Sequence, residues 1–141
     1  FTPEANWATA PFEPEFVDGV VNTYLTNIRT VKLLAEEHGF EFFAFIQPTL
    51  ALKDGEYDEE EQIIMWNTPQ STADLFRVVY PYWEEEAAQN ETLYYLADVL
   101  FNQEYPIWVD YNHVTPWGNL IMAHEITQVI LPTIDAALLA R

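Results

Sequence analysis

An aspartate and a histidine three residues apart are the two side chains of this sequence best suited to chemistry. Asp110 and His113 open the segment DYNHVTPWGN, residues 110–119. A neutral imidazole accepts a proton from a nucleophile near pH 7. A carboxylate on its other ring nitrogen selects the tautomer and stabilises the imidazolium that forms. The pair therefore predicts a general base with its orienting acid, although a histidine beside a helix start also serves simply as a cap.

The apolar pattern predicts an α/β arrangement in which this pair lies at one edge of a parallel sheet. Apolar side chains recur every three or four residues over 14–38, and Gly39 suits a left-handed helix cap. The run FEFFAFIQ at 40–47 predicts a strand buried on both faces, with a strand at 106–110 as its neighbour. Ligands of open α/β sheets bind beyond the carboxyl ends of the strands, and Asp110 and His113 follow such an end.

Turn and cap residues divide the remaining chain into less regular segments. Asp58 is suited to cap a short helix that ends near Trp66, and Thr115 to cap one that begins at Pro116. Prolines are expected to kink or interrupt two of the helices. The predicted segments are an irregular arm at 1–13 containing Phe1, Trp7 and Phe12, a helix from Ser71 or Thr72 towards Ala88 with Pro81 inside it, an extended piece or helical turn at 93–101, and a C-terminal helix with Pro132 inside it.

The C-terminal motif resembles a block of the SGNH/GDSL-type hydrolase family. The resemblance rests on Asp110-Tyr111-Asn112-His113-Val114-Thr115, then Gly118-Asn119, then Ile121-x-Ala123. Upstream, the joint Ala35-Glu36-x-x-Gly39-Phe40 and the run Phe45-x-Gln47-Pro48 are similar to the helix and strand that precede this block in many members. The similarity extends over roughly residues 17–135.

The resemblance implies a three-layer, flavodoxin-like fold with a parallel sheet, and a site that hydrolyses esters or acylated carbohydrates without a cofactor. It assigns His113 as the general base and Asp110 as its partner. The single serine, Ser71, follows Gln70 instead of standing in the family's Gly-Asp-Ser turn, and the family's glycine-containing oxyanion blocks are missing. The chain is therefore expected to be either one α/β domain or the C-terminal part of a larger hydrolase, associated with a preceding segment or with another copy of itself. The alternatives are a catalytically inactive module for binding or assembly, and a metal site at Asp110, His113 and His124.

Composition narrows the other functional classes. Five Lys and Arg against 23 Asp and Glu give 5 − 23 = −18 at pH 7, which disfavours nucleic acid as a partner. There is no cysteine, so disulfides, thiol nucleophiles and zinc–thiolate sites are excluded. With only four glycines, the chain contains no glycine-rich phosphate loop. No apolar run approaches the ~20 residues that span a bilayer.

Overall fold

The computed structural model describes residues 12–101, 103 and 105–139, which form a mixed α/β structure that is mostly helical. Phe1 and Trp7 of the predicted arm lie outside the described residues, whereas the ring of Phe12 stacks on that of Phe16 at 5.7 Å. The elements are α1 (Pro14–His38), β1 (Ala44–Ile46), a short 3₁₀ helix (Leu50–Leu52), α2 (Glu59–Asn67), α3 (Gln70–Ala87), β2 (Leu93–Tyr95) and α4 (Pro116–Leu139).

The first helix confirms the sequence prediction at both ends. Pro14 occupies the first turn, where its missing N–H has no intrahelical partner to lose. Gly39 adopts φ 68°, a left-handed conformation that other residues rarely accept, and its N–H donates to the carbonyl of Ala35. The side chains of Val17, Val21 and Leu25 are buried. The spacing of the apolar residues and the caps were sufficient to predict this helix, because its apolar face is buried along the first three turns, as the spacing requires.

The sheet is parallel, as predicted, but its strand partners differ from the prediction. Ala44 pairs with Leu93 and Ile46 with Tyr95, so β1 lies beside β2 and not beside residues 106–110. The ambiguous segment 93–101 therefore begins as a strand, and turns follow it. Among the described residues the sheet contains these two strands.

Helices cover one face of this sheet, and the prediction that β1 is covered on both faces was wrong for the residues the structure describes. Side chains of α1 and α3 share one apolar core with Ala44, Ile46 and Leu93. The intervening Phe45 is only half-buried, and its ring stacks on Tyr94 at 5.4 Å on the opposite face. Alternating burial of this kind is typical of a sheet with one covered face.

A second apolar core lies beyond the carboxyl end of β1 and joins the 3₁₀ helix, α2 and the first turns of α4. Its buried members are Leu50, Leu100, Ile107 and Trp108. Asp58 and Glu61 form a capping box at the start of α2, as the sequence predicted for Asp58. Glu61 is also buried and forms an ion pair with Lys53, so its charge is compensated.

Neither internal proline divides its helix. Pro81 lies inside α3 and Pro132 inside α4, and both helices continue beyond them. Pro81 and Pro132 are both exposed, so water can hydrogen-bond the carbonyl that each proline leaves without a donor. No helix among the described residues combines the length and apolar character that crossing a membrane requires.

Candidate active site

A short hairpin presents the predicted pair. Trp108 and Val114 form an antiparallel bridge, and the N–H of Thr115 donates to the carbonyl of Ile107 at 2.8 Å. The N–H of Val109 donates to the carbonyl of His113 at 2.9 Å and closes the tip. The predicted strand at 106–110 is thus one arm of this hairpin. Its residues pair with the chain that returns immediately, because that partner is available at the lowest loop-closure cost.

The Asp110 carboxylate holds the hairpin tip together by hydrogen bonds. Its Oδ1 accepts the backbone N–H groups of Asn112 at 3.0 Å and His113 at 2.8 Å. Aspartate side chains commonly satisfy N–H groups two or three residues ahead in turns of this kind. Its Oδ2 lies 2.8 Å from Nδ1 of His113. One carboxylate therefore sets both the backbone of the turn and the orientation of the imidazole.

The hairpin tip is fixed to the loop that follows β1. Thr49 Oγ1 and the N–H of Leu50 both donate to the carbonyl of Tyr111, each at 2.8 Å. Thr49 is completely buried. The Tyr111 ring packs against the ring of Phe76 in α3, with 6.0 Å between the ring centroids. The Asp–His pair consequently lies at the carboxyl edge of the parallel sheet, although neither β1 nor β2 leads into it. Sequence analysis missed Thr49 because its partner is 62 residues away and nothing local marks it.

Hydrogen bonding keeps Asp110 charged. Partial burial by itself raises the pKa of this carboxyl, but the N–H of Asn112 and the ring and N–H of His113 outweigh burial and hold the pKa below its usual value. An ionised carboxylate on Nδ1 favours the tautomer that carries its proton there, which leaves Nε2 with a free lone pair. The His113 side chain is 72% exposed, so the rest of the ring is open to an incoming group.

The lowered pKa of Asp110 predicts a pH dependence for the tip. In the folded chain the pKa of the Asp110 carboxyl lies below its ordinary value of 3.8. The contribution of this carboxylate to stability is therefore complete above pH 3.8 and is lost as the pH falls through the pKa of the folded state. We expect a ¹³C NMR titration of the Asp110 carboxyl to give a midpoint below 3.8, and His113→Ala to move it upward. A wild-type midpoint at or above 3.8 would contradict the hydrogen bonds described for this turn.

The other residues with chemical potential lie apart from the pair. Ser71 is exposed in the first turn of α3, and no hydrogen bond of the described residues joins it to His113. His38 ends α1, as predicted, and His124 is exposed on α4. Within the described ranges no three His, Asp or Glu side chains form a group that could hold a metal ion, so Asp110, His113 and His124 are not such a group. The alternative of a metal site at these three residues is therefore not supported.

A polar cavity of about 410 Å³ lies beyond the carboxyl ends of β1 and β2, and neither Asp110 nor His113 lines it. Burial raises the pKa of the Tyr80 phenol. Burial, then the charges of Glu84 and Asp98, raise the pKa of Tyr95 to about 12, so both phenols are protonated at neutral pH. The cavity was not foreseen because its walls come from separate segments of the chain, including Lys53, Arg77, Tyr80, Glu84, Tyr95 and Asp98.

Two cations of this cavity are already engaged by the protein. Lys53 pairs with the buried Glu61. Arg77 Nε donates to the carbonyl of Ala51 at 2.9 Å, and its Nη1 lies 3.4 Å from Asp74. Both cations thus support the loop after β1 and α3, which in turn hold the hairpin. Their role in the described residues is to stabilise the surroundings of the site.

In comparisons with known proteins, no family model, curated protein or solved structure matches the chain.

Proposed function

We propose that Asp110 and His113 form the base half of an ester-hydrolysing site of the SGNH/GDSL type. The observation that carries the proposal is the 2.8 Å contact between Asp110 Oδ2 and His113 Nδ1, on a turn whose backbone the same carboxylate holds. Thr115 adds support, because its Oγ1 accepts the N–H of Gly118 at 3.4 Å and so caps α4 directly after the pair. The motif that resembles the family is thus a continuous structural unit.

The chemistry follows from the orientation of the imidazole. His113 Nε2 takes the proton of a serine hydroxyl as the hydroxyl attacks the ester carbonyl. The resulting imidazolium is stabilised by the Asp110 carboxylate, and it then returns the proton to the departing alcohol. Water then attacks the acyl-serine and gives its proton to His113 Nε2, which returns that proton to the serine oxygen as the carboxylic acid leaves. No cofactor enters this cycle. The substrate class is a small ester or an acylated carbohydrate.

The nucleophile of this proposal comes from a segment outside this sequence. The only serine, Ser71, begins α3 and has no contact with the pair among the described hydrogen bonds. The same segment would supply the oxyanion donors and further strands, which would extend the two-stranded parallel sheet into the three-layer, flavodoxin-like arrangement of the family. The free hydrogen-bonding edges of β1 and β2 in the described residues support such an extension.

A second candidate function is a catalytically inactive module for binding or assembly. It is favoured by the absence of a second serine and by the exposed apolar side chains along α4. The two candidates share a fold and differ in whether His113 participates in bond cleavage. Hydrolysis that depends on His113 in the presence of the serine-bearing segment separates them.

The 141-residue chain on its own is expected to show no more than marginal hydrolysis of p-nitrophenyl acetate, because a triad loses nearly all its power without its nucleophile. The release of p-nitrophenolate, followed at 400 nm, measures this directly. Ser71→Ala is expected to leave that marginal rate unchanged. Vigorous hydrolysis that disappears in Ser71→Ala would show that the nucleophile is in this chain and would overturn the proposal in its present form.

A further inference from the structure

The last helix exposes an apolar stripe along almost its whole length. Seven positions spaced alternately by three and four residues are all exposed, and we call them the α4 stripe: Trp117, Leu120, His124, Thr127, Leu131, Ile134 and Leu138. Its five large apolar members are between 42% and 61% exposed. Contiguous apolar surface of this kind marks an interaction site in soluble proteins.

The spacing of the stripe identifies the shape of the surface that fits it. An average period of 3.5 residues is the pattern by which two helices pack side by side with a left-handed crossing. From Trp117 to Leu138 the stripe covers three heptads, or about 32 Å at 1.5 Å per residue. The partner is therefore another helix with an apolar seam of similar length.

We propose that this partner is α4 of a second copy of the chain, packed antiparallel about a two-fold axis. In this register Trp117 meets Ile134 of the second copy, Leu120 meets Leu131, and His124 meets Thr127. The six positions from Trp117 to Ile134 form the seam, and Leu138 lies beyond its end. Each of the four apolar members of the seam faces an apolar residue, and the two polar members face each other at the centre. A polar pair at one level of such a seam sets register and orientation. The stripe is thus complementary to itself, as a two-fold interface requires.

The area available reaches what a specific dimer needs. An exposed large apolar side chain of this degree leaves on the order of 100 Å² to be covered. The six positions that face each other in this register then bury about 500 Å² per copy and about 1,000 Å² in the dimer, about the minimum for a specific interface. The Tyr105 ring stacks on Trp117 at 5.9 Å and widens the surface at one end.

Charge distinguishes a second copy from a basic partner. Each chain carries a net charge of −18, but α4 has only Glu125 and Asp135 as formal charges within its bounds. Repulsion between two copies therefore comes from outside the seam and is screened over about 8 Å at physiological ionic strength. Raising the salt concentration is expected to tighten the dimer, whereas it would weaken the binding of a basic partner.

Analytical ultracentrifugation over a range of concentrations tests the proposal. The chain is expected to sediment as a dimer, more completely at about 500 mM than at about 50 mM salt. Leu120→Glu and Leu131→Glu are each expected to raise the dimer Kd about 100-fold, since a charge is buried without a partner. Leu33→Glu is the matched control, because Leu33 is 65% exposed on α1 and outside the stripe. A monomer at all concentrations, or equal effects of all three variants, would overturn the proposal.

Cross-linking tests the orientation in a chain that has no cysteine of its own. Unlabelled chains carrying Leu120→Cys are mixed with ¹⁵N-labelled chains carrying Leu131→Cys and oxidised. The label gives the mixed and the two same-site disulfide dimers different masses, so mass spectrometry separates them. The antiparallel register predicts that the mixed disulfide forms in clear excess over either same-site disulfide, because only facing positions approach closely enough to bridge. A predominance of same-site disulfides would overturn the antiparallel packing.

Discussion

His113→Ala is expected to abolish ester hydrolysis by the protein when the serine-bearing segment is present, with a loss of about 10⁴-fold or more in kcat. At 1.36 kcal/mol per tenfold, that is about 5 kcal/mol or more of transition-state stabilisation. The reason is geometric: His113 is held by Asp110 at 2.8 Å with the rest of its ring exposed, and no other histidine of the described residues has a carboxylate partner. Steady-state hydrolysis of a p-nitrophenyl ester measures the loss.

Asp110→Asn is expected to have a smaller effect, about 10²-fold to 10⁴-fold in kcat, because an amide no longer selects the same tautomer or stabilises the imidazolium. His38→Ala is a matched control, since His38 is exposed at the end of α1 and far along the chain from the pair. Far-UV circular dichroism establishes that each variant is folded. Unchanged kcat in His113→Ala and Asp110→Asn would leave the pair as structural residues of a hairpin and favour the assembly module.

Gly118→Ala is expected to destabilise the protein by about 2 kcal/mol, against the usual benefit of alanine in a helix. A Cβ at this position would lie 2.7 Å from Val114 Cβ and 3.1 Å from Ile107 Cγ2. The first of these atoms is attached directly to the backbone, so α4 or the hairpin must shift to relieve the contact. Overpacking of this kind costs about 1–3 kcal/mol, sometimes more, and exceeds the gain of about 1 kcal/mol from helix propensity.

Gly19→Ala provides the opposite control for that experiment. Gly19 lies inside α1, and a Cβ added there meets nothing within 4 Å. We expect stabilisation of about 0.5–1 kcal/mol, from the smaller entropy of the unfolded chain and better helix propensity. Urea unfolding at one fixed protein concentration compares the two variants, because association would shift apparent stability. Equal stabilisation by both alanines would show that α4 does not approach the hairpin as closely as described.

Much of the local structure was predictable from the sequence. The bounds of α1, its cap at Gly39, the capped start of α2 at Asp58 and the start of α4 after Thr115 agree with the structure. These features depend on residues within one or two helical turns of each other, so a short window of sequence contains the whole physical cause. The Asp110–His113 contact belongs to the same class, because the two residues are three apart in one turn.

Strand pairing was not predictable in the same way. The run at 40–47 was identified as a strand, but its partner proved to be Leu93–Tyr95, while Ile107 and Trp108 turned back on Val114 and Thr115. All three segments are rich in apolar residues, and no local pattern ranks them as neighbours. The choice depends on which backbone edge remains free and which side chains α1 and α3 bury once the chain is compact.

The sequence by itself determined the chemical character of this protein: a strongly acidic, cysteine-free chain with an Asp-x-x-His pair, one serine and a capped C-terminal helix. Only the tertiary structure decided where the pair lies. It fixed the hairpin to the loop after β1 through Thr49 and the carbonyl of Tyr111, brought α4 against the hairpin at Gly118, and left the α4 stripe exposed. The physical reason is that residue type and spacing determine charge, caps and helical period, whereas burial and long-range hydrogen bonds depend on how segments far apart in sequence meet.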